Sequence, residues 1–240
     1  MTHQSIGKIV GLFCALIVMA GVPAAARGAV VPFTENFSND AANWYNNAGN
    51  APVDWVSSGG PDGSSYVTTS YNFVNQTPGL PFPNNAVNLF RAQDEFNSSN
   101  HAFEGDWIAD GVMSFSFWVR HNASAPMMFF TRFATPSNFP AWSGVEFSMV
   151  APNTWTQITI PITLANPALF YEGPPGGQAE FNAVFSNIGH VQVGVFGGTE
   201  AGVNQGFTFD LDQPSIVPAP GMLAWLGAAG LSWRRRRRRS

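Results

Sequence analysis

After Lys8 this chain contains no lysine, and its one cysteine, Cys14, lies close to the start. A domain without paired thiols holds no disulfide and no cysteine-ligated metal, so its stability has to come from core packing or from bound ions. Cations are scarce too. Of the 11 basic residues, Lys8 and Arg27 lie at the N-terminal end and six arginines cluster at the C-terminus, which leaves Arg91, Arg120 and Arg132 in between. All 15 acidic residues lie from Glu35 to Asp212, so the middle of the chain carries −12 against −4 for the whole. Such a balance argues against a nucleic-acid partner, because duplex binding rests on neutralising phosphates with Lys and Arg.

Catalytic templates are missing as well. The sequence has no His-Glu-x-x-His zinc helix, no Gly-x-Ser-x-Gly nucleophile elbow and no glycine-rich phosphate loop. His101, His121 and His190 are scattered. Glycoside hydrolysis needs two facing carboxylates. Asp94 with Glu95 and Glu104 with Asp106 are the nearest candidates, yet neighbours on a strand point to opposite faces, and Trp107 to Gly111 reads as a turn. No catalytic residue is assigned.

What is present begins with two terminal signals. Lys8 precedes an apolar run from Ile9 to Val22, followed by Pro23 and Ala24 to Ala26, the pattern of a secretory signal peptide over residues 1–28. At the other end, Pro218, Ala219, Pro220 and Gly221 lead into an apolar stretch from Met222 to Trp233. Arg234, Arg235, Arg236, Arg237, Arg238 and Arg239 follow it, then Ser240. Twelve apolar residues make a helix of only ~18 Å, short of a ~30 Å hydrocarbon core, so the segment suits transient tethering better than permanent anchoring. The arginines belong on the cytoplasmic side, which places the preceding domain outside.

Between the signals, residues 29–216 read as one β domain. Met113, Phe115, Phe117 and Val119 alternate with Ser114, Ser116, Trp118 and Arg120; Thr156, Ile158, Ile160 and Ile162 share a face, as do Val191, Val193 and Val195, and Phe207, Phe209 and Leu211. Further strands are predicted near 53–57, 65–71, 86–91, 127–134 and 144–150, with no amphipathic helix between 30 and 215. A hydrophobic fraction of 45% with 21 Phe and 8 Trp supplies a packed core. Many short strands in one domain predict an all-β, two-sheet β-sandwich of jelly-roll type, flanked by an N-terminal signal helix and a short C-terminal apolar helix.

The order Pro-x-Pro, short apolar helix and terminal arginine cluster over residues 217–240 resembles the PEP-CTERM sorting signal of exopolysaccharide-associated bacterial proteins, with Pro-Ala-Pro here in place of the usual Pro-Glu-Pro. The resemblance implies export by the Sec machinery, processing by an exosortase-type enzyme, and a final place at the cell surface or in the extracellular matrix. Gly105-Asp106-Trp107, Ser116-Phe117-Trp118-Val119, Thr154-Trp155 and Phe209-Asp210-Leu211-Asp212 resemble the jelly rolls of carbohydrate-binding modules. That resemblance implies a structural Ca2+ held by Glu35 and Asp210, the first lying in the opening strand-like segment and the second in the closing one. Sugars are held by aromatic platforms, which makes Trp118, Trp142 and Trp107 the candidate carbohydrate contacts. The expected function is a non-catalytic domain associating with extracellular polysaccharide. A purely structural surface protein and a secreted polysaccharide-degrading enzyme are the alternatives. Deleting residues 217–240 should release the domain to the medium, and neutralising Arg234 to Arg239 should impair retention; fractionation of expressing cells measures both, and unchanged surface localisation after complete deletion contradicts the sorting signal.

Overall fold

Alternating apolar and polar residues set the architecture, since successive side chains of a strand point to opposite faces and the apolar set has to meet a partner. The computed structural model describes residues 28–73, 86–197 and 205–218, in which eleven strands form two antiparallel sheets. One sheet runs β2 (Asp54–Val56), β3 (Tyr66–Asn72), β11 (Gly206–Pro218), β5 (Val112–His121) and β8 (Thr156–Pro161), with β1 (Phe33–Thr34) paired to the far end of β11. The other runs β4 (Ala86–Gln93), β10 (His190–Phe196), β6 (Met127–Ala134), β7 (Ala141–Val150) and β9 (Leu169–Tyr171). This is the all-β sandwich predicted. The segments predicted as signal and sorting helices lie outside the described residues, apart from Gly28, Val217 and Pro218. Pro218 itself is the last residue of β11, opposite Val112.

The two inner faces meet in an aromatic layer. Phe115 and Phe117 of β5, Phe209 of β11 and Phe129 and Phe133 of β6 are all fully buried. Phe115 stands edge-on to Phe133 across the sheets, with ring centroids 5.8 Å apart. Trp107 lies against both, at 6.4 Å from Phe115 and 5.4 Å from Phe133, and its Nε1–H donates to the Phe103 carbonyl at 2.8 Å. Edge-to-face contacts of this kind add to the burial of large apolar area.

Two expectations need correction. Met113 is not on the apolar face of β5: it is exposed, and Val112 is buried instead. The pairing of β5 with β11 shifts register between Val217 and Pro218, and such an irregularity turns the strand end by one residue. A helix is also present where none was predicted, α1 (Gln178–Phe185). It spans barely two turns, too short to stand on propensity, and docks Phe181, Val184 and Phe185 onto the core. Its start is fixed by Glu180, whose carboxylate accepts from Gly177 N–H at 2.8 Å. Phe115→Ala should lower unfolding free energy by about 3–5 kcal/mol with an unchanged denaturant slope; chemical denaturation of the full chain measures it, and a loss below about 1 kcal/mol would mean the aromatic layer is not the mechanical centre.

Candidate functional site

The outer face of the five-stranded sheet is where sequence and fold combine into a site. Register aligns Arg91 of β4, Gln192 of β10, Arg132 of β6, Ser143 of β7 and Phe170 of β9 in one row across all five strands. The neighbouring row is Asn88, Gly194, Phe130 and Val145. These residues point away from the core cluster, yet Gln192 is 1%, Val145 2%, Phe130 4% and Arg132 7% exposed. Burial on an outward face means that the sheet floor is walled in. The resulting groove holds about 410 Å³, lined by Ala86, Phe130, Arg132, Phe170, Tyr171 and Phe196 among others. Gly194 shapes the floor, because a Cβ there would lie 2.4 Å from the Phe130 ring and 2.6 Å from the Val87 carbonyl oxygen.

Arg132 ties one wall together. Its Nε donates to both carboxylate oxygens of Glu172 at 3.0 and 2.8 Å, Nη1 to Asn138 Oδ1 and Nη2 to the Asn138 carbonyl, both at 2.7 Å, while the Phe139 ring covers the guanidinium at 5.0 Å. Ser143 Oγ donates to the same Glu172 at 2.6 Å. Arg91, on β4 in the same row, donates through Nε–H to the Asn47 carbonyl at 2.8 Å, with backbone bonds between Arg91 and Tyr45 in both directions. Burial and then the charge of Arg132 push the Arg91 pKa down from its usual value. Between the two guanidinium-bearing strands, neither amide atom of the buried Gln192 finds a partner among the described residues, and neither does Asn88 Oδ1. Asn88 is one of the residues lining the groove, whereas Gln192 and Arg91 are not.

The predicted contacts lie elsewhere. Trp107 is fully buried in the core. Trp142 points inward opposite Phe133, its Nε1–H donating to the Glu180 carbonyl at 3.3 Å and its ring edge-on to Phe181 at 5.9 Å, so it seats α1. Trp118 is half-buried on the outer face of the six-stranded sheet, between Asp212 and Gln157, on the opposite side of the molecule's core from the groove. Glu35 and Asp210 have separate partners: Glu35 accepts from Phe37 N–H at 2.9 Å, and Asp210 pairs with Arg120 at 2.7 Å. The cation beside Asp210 is thus a guanidinium, itself stacked 4.6 Å over Trp155. Glu104 contacts His101 at 2.6 Å, whereas Asp106 caps the turn at Ala109.

Sequence reasoning missed the row Arg91, Gln192 and Arg132. Signals existed: Gln192 and Gly194 alternate with Val191, Val193 and Val195, and two of only three mid-chain cations, Arg91 and Arg132, fall in segments predicted as strands.

No protein-family model and no curated protein matches the sequence. Solved structures do. A xylanase from Clostridium thermocellum comprising a family 22 carbohydrate-binding module and a catalytic module, complexed with xylohexaose, is 13% identical over 80% of this chain and 29% of that one, with a TM-score of 0.44. The family 11 carbohydrate-binding module of the same organism, complexed with a β-1,3-1,4-mixed-linked tetrasaccharide, is 17% identical over 80% of this chain and 98% of that chain, with a TM-score of 0.48. An exo-β-agarase is 12% identical over 77% of this chain and 24% of its own, with a TM-score of 0.50. The chain therefore spans under a third of the xylanase and the agarase, and at these identities the likeness is one of fold.

One titratable group stands apart. Asp212 of β11 is fully buried, and burial pushes its carboxyl up to about 6, against the lowering effect of Ser64 Oγ and of Gln213 N–H donating at 2.7 Å; nearby Asp62 raises it further. A carboxyl with a raised folded pKa binds its proton more tightly folded than unfolded. Its contribution is fully present below 3.8, the ordinary value of an exposed aspartate, and is lost as pH rises through about 6. The melting temperature of Asp212→Asn minus that of wild type, in chelator, should therefore grow between pH 4 and pH 7; a difference constant with pH would contradict the assignment.

Proposed function

We propose that this chain is an exported, exosortase-sorted protein of the cell surface or extracellular matrix, whose sandwich binds an extracellular polysaccharide in the groove of the five-stranded sheet without cleaving it. The observation that carries the reading is the groove itself, where Asn88, Arg132 and Ser143 stand among Phe130, Phe170 and Phe196 on the outer face of the sheet. Amide and guanidinium groups address sugar hydroxyls, and ring faces of Phe and Tyr cover the apolar side of a pyranose. A non-catalytic role is supported by the lining itself: Glu172 is its one carboxylate, and it is bound to Arg132 and Ser143, whereas glycoside cleavage calls for two. Export and sorting rest on the terminal segments of the sequence.

Affinity electrophoresis of the full chain in gels containing acidic and neutral bacterial polysaccharides should detect retardation in at least one. Phe170→Ala and Phe196→Ala should each weaken it about three- to tenfold, while Trp118→Ala, on the other sheet, leaves it unchanged. Retardation lost only in Trp118→Ala would move the site to the six-stranded face, and no retardation in any polymer would remove the binding role.

A further inference from the structure

We infer that Asp94, Glu95 and His190 form a binding site for a divalent cation of the zinc class beside the groove. Asp94 and Glu95 open a single 3₁₀ turn, Asp94–Phe96, that follows β4 directly. His190 begins β10, opposite Gln93, and Asp94 N–H donates to the Gly189 carbonyl at 3.0 Å. In an extended strand the two acids would point to opposite faces, but the turn brings both to one imidazole. His190 Nε2 lies 2.9 Å from Glu95 Oε2 and 3.1 Å from Asp94 Oδ1. The three donor atoms lie within 4.8 Å of one another, and this is the one such group of three among the described residues.

A ring nitrogen carries at most one hydrogen, so a proton on Nε2 serves two carboxylates only by sharing. A divalent ion serves all three donors at once. Around a tetrahedral ion with bonds of about 2.0–2.2 Å, neighbouring donors are on the order of 3.3 Å apart, a small opening of the contacts observed. Asp94 and Glu95, whose side chains are 34% and 50% exposed, can make that adjustment. His190, at 5% side-chain exposure, is the fixed member. Its Nδ1 is buried with no partner among the described residues, so an ion on Nε2 leaves the ring hydrogen on a nitrogen without an acceptor, a cost that coordination by all three donors has to exceed. One imidazole nitrogen with two carboxylate oxygens suits zinc-like ions better than calcium or magnesium, which favour all-oxygen sets. Three protein donors leave a coordination position for water or for another oxygen ligand. His190 lies two residues from Gln192 and shares its face of the sheet, although the site does not depend on glycan binding.

The full chain, stripped of metal, is titrated with Zn2+ alone by calorimetry and by thermal melting at neutral pH. Wild type should take up one ion per chain at this site and melt higher. Asp94→Asn/Glu95→Gln, which alters only exposed or half-exposed acids, should weaken uptake on the order of tenfold or more while keeping the metal-free melting temperature. His190→Gln should do the same to uptake. Absence of saturable uptake by wild type up to about 100 μM Zn2+, or equal affinity in the double variant, overturns the proposal and leaves His190 hydrogen-bonded to two carboxylates.

Discussion

Contact between Phe115 and Phe133 joins two sheets that share no strand, and the rest of the molecule is arranged around it. With no cysteine after Cys14, nothing covalent holds the sheets face to face. Apolar burial at roughly 25 cal/mol per Å2 has to supply the cohesion, and large rings supply the most area per residue. Trp107 sits where the two phenylalanines meet, and Phe185 of α1 completes the layer at 5.5 Å from Phe133. Trp107 and Trp142 are thus core residues, which is why a count of tryptophans says little about ligands.

The β class and most strand positions were legible because period-2 alternation is a direct consequence of strand geometry. Legibility failed where tertiary contact overrode local pattern. Helix α1 exists because Phe181 and Phe185 cover Trp142 and Phe133, a fact of the partner surface and not of eight residues of sequence. Edge strand β9 is three residues long and is defined by pairing with β7. Met113 was misplaced because a register shift at Pro218 cannot be seen from β5 alone. The 3₁₀ turn at Asp94 likewise reversed the argument that adjacent carboxylates must diverge.

The groove was harder to read, since a row across a sheet gathers residues from five strands spread between Arg91 and Gln192. Nothing local links them. What the sequence did display was scarcity: three arginines in a lysine-free stretch. Arg120 meets Asp210 on the six-stranded sheet, but Arg91 and Arg132 stand on the other sheet with only the strand carrying Gln192 between them.

That placement opposes stability in two ways. An unpartnered buried amide costs about 1–3 kcal/mol, and burial first, then repulsion by the neighbouring Arg132 guanidinium, disfavours the charge on Arg91. A leucine at position 192, between valines at 191 and 193, would remove the first penalty without disturbing the inward face. The aromatic layer beneath has the cohesion to carry both penalties, so the sandwich folds in spite of its outer face. A polar, walled floor is held on a rigid apolar slab, and the slab fixes the positions of its polar groups, which is the arrangement that the proposed binding role requires.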